Sequence, residues 1–163
     1  MNQTDIITIT EDEEFDDMGS YNHSLVQGNL AYLLRQTGNY SAFIELSLDA
    51  SALDKQEFPN ITNELIPDIC LYPKRGTIPR DILRVTEMPL LAIEVISPRQ
   101  GTLGLIEKFR AYFALGVTSC WLVDPALNIV AVYSAPTKYQ TFAGETVLDE
   151  QLSIEIPLTE IFE

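Results

Sequence analysis

The stretch Leu90-Leu91-Ala92-Ile93-Glu94-Val95-Ile96 decides how this sequence folds, because every side chain in it except one is apolar. Pro89 and Pro98 bound the run, and its length and β-branched residues are typical of a strand. A strand that is apolar on both faces usually lies in the middle of a sheet with helices packed on each side. The run therefore predicts an α/β fold whose central sheet is covered by helices.

Glu94 is the exception in this run, and it is the most informative residue for function. A carboxylate inside a buried strand costs several kcal/mol of desolvation unless it is paired, hydrogen-bonded or bound to a metal ion. The sequence therefore predicts a compensating group near Glu94, and the nature of that group bears on what the protein does.

The remaining elements follow from hydrophobic spacing and turn residues. Helices are predicted where apolar residues recur at helical spacing, and strands where short apolar or alternating runs end at turn residues. The helices are predicted at 24–35 and 102–115, and the strands at 40–48, 67–72, 90–96, 119–123, 128–134 and 138–143. The strand-helix-strand unit at 90–123 implies a parallel pair with a right-handed crossover.

The chain of 163 residues is predicted to form one domain after an acidic N-terminal segment. Residues 1–20 are predicted to be an acidic lead-in, because six carboxylates fall between Glu11 and Asp17, and residues 21–163 are predicted to be the domain. No apolar run reaches the roughly 18 residues of a membrane span. The N-terminus also lacks the basic and apolar regions of a signal peptide, so a cytoplasmic protein without membrane contact is expected.

Charge and residue counts limit the chemistry further. The formal net charge is −14, from 24 acidic and 10 basic residues, and such a chain should repel nucleic acid at long range. The single histidine, His23, excludes a multi-histidine metal centre and argues against a Ser-His-Asp triad. The two cysteines lack the CxxC spacing of a zinc or redox site and are expected to be buried free thiols.

Three residues form a constellation that could carry chemistry. Asp68 follows Pro67 at the start of a short strand, Glu94 lies in the next long strand, and Lys108 lies on the helix that follows. Two carboxylates on adjacent strands can hold Mg²⁺, which can bridge a scissile phosphate and lower the pKa of a bound water, while a lysine orients that water. The plainer alternative is that Asp68 shapes a turn and that Glu94 and Lys108 form a structural ion pair.

A set of motifs in matching order gives this constellation a family context. The motifs are Pro67-Asp68-Ile69, Ala92-Ile93-Glu94-Val95-Ile96-Ser97-Pro98, Glu107-Lys108-Phe109-Arg110-Ala111-Tyr112, Gly116-Val117 and Cys120-Trp121-Leu122-Val123-Asp124-Pro125. Together they resemble the bacterial Uma-type family, a branch of the PD-(D/E)xK restriction-endonuclease-like superfamily, over roughly residues 22–135.

The resemblance implies a restriction-endonuclease-like core, with a central mixed β-sheet flanked by helices and a site that uses Mg²⁺ or Mn²⁺. It assigns Asp68 and Glu94 as metal ligands and Lys108 as the catalytic lysine. Ile96 stands where the wider superfamily has that lysine, and Gly104 stands where Uma-type sequences often have an aspartate. The implied activity is Mg²⁺-dependent phosphodiester hydrolysis in DNA.

Two further residues, one alternative function and two expected partners complete the expectations. His23 and Glu45 are possible accessory residues of the cleft, although a surface histidine and an exposed strand position explain them as well. The alternative function is a catalytically inactive domain that serves as a binding or interaction module, which the acidic charge and Gly104 favour. DNA is an expected but electrostatically disfavoured partner, and a homodimer formed through the apolar C-terminal strands is a further expectation.

Overall fold

The computed structural model describes residues 19–163, so residues 1–18 of the predicted acidic lead-in lie outside the described residues. The helices within this range are α1 (Tyr21–Gln36), α2 (Thr102–Leu115) and α3 (Leu158–Phe162). The strands are β1 (Tyr40–Ile44), β2 (Leu48–Asp49), β3 (Glu64–Leu65), β4 (Ile69–Pro73), β5 (Leu91–Val95), β6 (Ser119–Asp124), β7 (Ile129–Ala135), β8 (Lys138–Ala143), β9 (Thr146–Asp149) and β10 (Ile154–Pro157).

The central sheet has six strands in the order β1-β4-β5-β6-β7-β8. Strands β5 and β6 are parallel and are joined through α2, whereas the other neighbouring pairs are antiparallel. The sheet is therefore mixed and flanked by helices, as the sequence predicts. Strands β2 and β3 form a small separate sheet, and β9 and β10 form another.

Strand β5 is buried on both faces because it lies between two hydrophobic clusters. Leu91, Ile93 and Val95 belong to the cluster that packs under α1 and α3. Ala92 belongs to the second cluster, which is built around Phe109 and other residues of α2. Because side chains alternate along a strand, Glu94 shares the face of Ala92 and points to the α2 side. The prediction from the apolar run is confirmed.

Helix α1 begins earlier than its apolar spacing predicts. Ser20 is the N-cap residue, and its hydroxyl accepts a hydrogen bond from the backbone N–H of His23 at 3.2 Å. The cap lies four residues before the predicted helix start at residue 24, because the apolar pattern does not mark the polar first turn. As a result His23 lies inside the first turn of α1, where its side chain can reach the end of the sheet.

The C-terminal region contains a hairpin that the sequence patterns did not predict. Strands β9 and β10 pair antiparallel, and their apolar side chains pack into the α1 cluster together with those of β7 and β8. The buried members are Val130, Phe142, Val147, Ile154 and Ile156. These side chains are covered within one chain, and the homodimer stays a prediction.

The two cysteines are free and buried, as expected. Burial raises the pKa of Cys70 to about 12 and raises that of Cys120 well above its ordinary value, so neither thiol is a ready nucleophile. Among residues 19–163, no helix combines the length and the apolar character needed to cross a membrane.

Candidate functional site

The carboxylate of Glu94 lies at the centre of a buried polar cluster, and only 2% of the residue is exposed. Its Oε1 accepts two hydrogen bonds from α2, one from Lys108 Nζ at 2.8 Å and one from the Tyr112 hydroxyl at 2.7 Å. Lys108 and Tyr112 are one helical turn apart, so they lie on the same face of α2. The crossover helix thus supplies two hydrogen bonds that offset part of the cost of burying this carboxylate.

Asp68 lies beside Glu94 because of the register of β4 and β5. This register pairs Ile69 with Ile93, which brings the residue before Ile69 next to the residue after Ile93. The Oδ2 of Asp68 accepts a hydrogen bond from the backbone N–H of Val95 at 2.7 Å, which ties the carboxylate to the end of β5. The two acids that the sequence singled out therefore lie at one end of the sheet.

His23 and Glu45 adjoin Asp68 from the other side. The Nε2 of His23 is 3.2 Å from the Oδ1 of Asp68, and His23 is 8% exposed, so it is not a surface histidine. Glu45 is exposed; its backbone N–H donates to the Asp68 carbonyl oxygen at 3.2 Å, and its φ of 51° is unusual for a residue with a side chain. Gln27 of α1 donates to the same carbonyl oxygen at 2.9 Å.

Burial is the largest influence on the Glu94 carboxylate. Burial raises the pKa of Glu94 to about 7, against the opposing effect of Lys108, and the charge of Asp68 raises it further. The hydrogen bond to Asp68 raises the pKa of His23, although burial opposes the rise. The contacts with Lys108 and Tyr112 therefore do not fully offset the desolvation cost of the ionised Glu94 carboxylate. The cluster still favours an additional positive charge near neutral pH.

A cleft of about 350 Å³ opens beside Lys108. Its lining comes from the 60–65 segment and the first half of α2, including Glu64, Gly104 and Glu107. Within the described residues, Lys108 Nζ makes a single hydrogen bond, to Glu94, and 26% of the side chain is exposed. Its remaining N–H groups can therefore donate to water or to a bound phosphate in the cleft.

The donor set at this site fits a magnesium ion. No group of three or more His, Cys, Asp or Glu side chains suited to metal binding occurs in the described part of the chain. Mg²⁺, however, is usually held by one or two carboxylates, with waters and substrate phosphates completing its coordination. Asp68 and Glu94 offer two hard carboxylate ligands at one end of the sheet, and the incomplete compensation of Glu94 favours a divalent cation there.

The sequence patterns point to the two acids, the lysine and the candidate accessory residues His23 and Glu45, but not to Tyr112. The structure brings together Asp68, Glu94, Lys108 and His23, with Glu45 adjoining through its backbone. In the sequence, Tyr112 is only the last residue of the motif Glu107-Lys108-Phe109-Arg110-Ala111-Tyr112. Its position four residues after Lys108 is the signal that could have shown its role, because such residues share a helix face.

Replacing Tyr112 with phenylalanine should raise the pKa of Glu94 and lower the free energy of unfolding by about 2 kcal/mol. The substitution removes the hydroxyl that donates at 2.7 Å to a buried carboxylate, and hydrogen bonds to charged groups contribute about 1.5–3 kcal/mol. Urea unfolding and NMR titration of Glu94 measure the two effects. Tyr133→Phe is the control, because within residues 19–163 the Tyr133 hydroxyl has no hydrogen bond; equal losses would contradict this assignment.

Comparisons with known proteins bear on the family and the fold. The chain matches the model of the Uma2 family, described as "Putative restriction endonuclease", over residues 12–159. It also resembles the crystal structure of a "putative nuclease belonging to DUF820" from Anabaena variabilis ATCC 29413. The TM-score is 0.69 at 19% identity, and the match covers 89% of this chain and 82% of that chain. No curated protein matches significantly.

The structural match confirms the predicted α/β, restriction-endonuclease-like fold, and at this identity it bears on the fold alone. The family match spans most of the sequence and includes Asp68, Glu94 and Lys108. The chain therefore belongs to the Uma2 family of restriction-endonuclease-like proteins.

Proposed function

We propose that this protein is a Mg²⁺-dependent endonuclease that hydrolyses phosphodiester bonds in DNA, a nuclease of the PD-(D/E)xK type. The observation that supports this proposal best is the pair of Asp68 and Glu94 at one end of the sheet, with Lys108 bound to Glu94 and facing a cleft. Restriction-endonuclease-like proteins generally use divalent metals, and these two carboxylates are suitable ligands for one.

The proposed mechanism assigns a role to each side chain. When bound, the divalent cation would neutralise charge on the scissile phosphate and lower the pKa of a water. Asp68 and Glu94 would hold the cation, and Tyr112 would fix the orientation of the Glu94 carboxylate. Lys108 would donate to the attacking water or to a phosphate oxygen through its available N–H groups. The water oxygen would form a bond to phosphorus as one P–O ester bond breaks. The attacking water would release one proton and the leaving oxygen would take one up, so that the net reaction adds one water across the broken bond.

A second candidate is an inactive domain that keeps the fold as a binding module. Two observations favour it: Asp68 is already engaged by His23 and by the backbone of Val95, and Gly104 provides no carboxylate at the edge of the cleft. In this case the Glu94–Lys108 pair would be purely structural. Metal binding and DNA cleavage distinguish the two candidates.

Calorimetric titration with Mg²⁺ or Mn²⁺ tests the metal site. The wild-type protein should bind the ion, and Asp68→Asn should weaken binding by tenfold or more, because the amide removes one of two charged ligands. Asp124→Asn is the matched control, since Asp124 accepts hydrogen bonds from Ala126 and Leu127 in a turn. Identical binding by the three proteins would rule out a site at Asp68.

Plasmid nicking tests catalysis. Lys108→Met keeps the length and apolar stem of the side chain but removes its donors, so we expect nicking to fall by about a hundredfold or more. Lys138→Met, on the exposed strand β8, should retain wild-type activity. Metal binding without any nicking by the wild-type protein would favour the inactive module.

A further inference from the structure

The positive charge of this acidic chain is concentrated in one segment. Residues 74–84 contain four of the ten basic residues, Lys74, Arg75, Arg80 and Arg84, and one acidic residue, Asp81. This basic segment therefore carries a formal charge of +3, in a chain whose net charge is −14. No similar excess of positive charge occurs elsewhere in the sequence.

The basic segment is exposed along its whole length, although its two ends are held in place. Arg75 pairs with Glu87 at one end and Arg84 pairs with Glu64 at the other. In the described part of the chain, Lys74 and Arg80 form no salt bridge, so their charges are available to a partner. Three apolar side chains of the segment also point to solvent: Ile78 and Ile82 are 49% exposed, and Leu83 is 93% exposed.

The path of the basic segment leads toward the candidate active site. It begins after β4, at the end of the sheet remote from Asp68, where the N–H of Lys74 donates to the Asn39 carbonyl oxygen. Beyond its other end, the N–H of Val85 donates to the carbonyl oxygen of Ser47, which follows β1 at the Asp68 end. The two ends of the segment are therefore held near opposite ends of β1.

The last residue of the segment connects it to the cleft beside Lys108. Arg84 pairs with Glu64, and Glu64 lines that cleft together with Lys108. A polyanion that follows the segment from Lys74 to Arg84 would therefore be brought to the opening beside the proposed catalytic lysine.

We propose that the basic segment is the surface that binds the sugar-phosphate backbone of duplex DNA and directs it into the cleft. This inference rests on the proposed function, because the segment is assigned to the substrate of the proposed nuclease. Lys and Arg contacts to phosphates supply most of the affinity of nonspecific DNA binding. The exposed apolar side chains are of the type that contacts DNA grooves. Concentrating the cations in one segment also allows binding by a chain that repels DNA elsewhere.

Fluorescence anisotropy with a labelled DNA duplex, in EDTA and at low salt, tests the surface without requiring catalysis. We expect Lys74→Glu/Arg80→Glu to weaken duplex binding by tenfold or more. We also expect the slope of log affinity against log salt to fall by about two, because each lost phosphate contact removes about 0.9 from that slope. The control is Lys55→Glu/Lys138→Glu, which makes the same change in net charge at exposed sites outside the segment.

The outcomes separate this inference from the proposed nuclease activity. Selective loss of duplex binding in the segment variant supports the inference even if no protein nicks plasmid, in which case the proposed activity alone fails. Equal losses in the two double variants would mean that only net charge matters and would overturn the inference. Absence of duplex binding by the wild-type protein, or unchanged binding by the segment variant, would also overturn it and would favour an acidic protein as the partner of this segment.

Discussion

Replacing Glu94 with glutamine should stabilise the metal-free protein by about 3 kcal/mol at pH 8 and abolish its response to Mg²⁺. Burial raises the pKa of Glu94 from 4.5 to about 7, so keeping the carboxylate ionised in the fold costs free energy at pH 8. A shift of one unit corresponds to about 1.4 kcal/mol, and glutamine keeps the shape and an acceptor oxygen without the charge. A residue that destabilises the fold while suiting a cation is typical of a functional site.

The stability that Glu94→Gln gains should depend on pH, and the direction follows from the raised pKa of Glu94. The folded state binds the Glu94 proton more tightly than the unfolded state does, so the wild-type protein loses stability as the pH rises from about 4.5 to about 7. The stability gained by Glu94→Gln should therefore be full at pH 8 and nearly absent at pH 4. Urea unfolding at both pH values, with and without Mg²⁺, measures it.

Glu155→Gln is the matched control for Glu94→Gln. Glu155 is an exposed glutamate on β10, so its replacement should change stability little at either pH. If Glu94→Gln destabilised the protein at pH 8, the ion pair with Lys108 would be a net stabilising contact. The physical basis of the metal-site hypothesis would then be lost.

Asp149→Ala should lower the free energy of unfolding by about 3–4 kcal/mol, the largest loss that we expect from a residue outside the candidate site. Asp149 is 1% exposed, and its Oδ2 accepts hydrogen bonds from the Ser119 hydroxyl at 2.5 Å and from Trp121 Nε1 at 2.8 Å. Its Oδ1 accepts the backbone N–H groups of Gln151 and Leu152 at 3.1 and 3.3 Å. Alanine would remove the acceptor of Trp121 Nε1 and of the two backbone N–H groups, whereas the Ser119 hydroxyl could still donate to the Tyr133 carbonyl oxygen at 3.2 Å.

Asp124→Ala is the control for this measurement. Its Oδ1 also accepts two backbone N–H groups, those of Ala126 and Leu127, but the hydrogen bonds are exposed to solvent. The loss there should be about 1 kcal/mol or less, because water can replace the carboxylate. Urea unfolding compares the two variants, and similar losses would show that the buried contacts to β6 contribute little.

The central strand and the crossover helix were predictable because their signals are local. An apolar run of strand length, bounded by prolines, indicates a buried strand wherever it occurs, and the spacing of Leu105, Phe109 and Tyr112 indicates a helix packed on one side. The importance of Glu94 followed from the same run, because a carboxylate there requires compensation. Asp68 and Lys108 stood out by their positions at a strand start and on the following helix, and the motif resemblance assigned them roles that hydrophobic spacing does not show.

The residues that escaped prediction are those whose partners are distant in sequence. Asp149 lies in a short hairpin with little periodic signal, and its donors Ser119 and Trp121 are 30 and 28 residues away. His23 was a candidate accessory residue, but its partner escaped prediction because the polar first turn of α1 does not show that the helix begins at Tyr21. Its contact with Asp68 depends on how α1 packs across the sheet.

The sequence alone was sufficient to predict an α/β domain with a covered central strand. Apolar runs and hydrophobic spacing, which indicate buried strands and amphipathic helices, are local properties of the sequence. The contacts within the candidate site were determined by the tertiary structure. Strand register placed Asp68 beside Glu94, and the packing of α2 directed Lys108 and Tyr112 to the same carboxylate oxygen. Such contacts depend on how strands and helices pack against each other in the folded chain. No local sequence pattern determines which oxygen atom a side chain will contact.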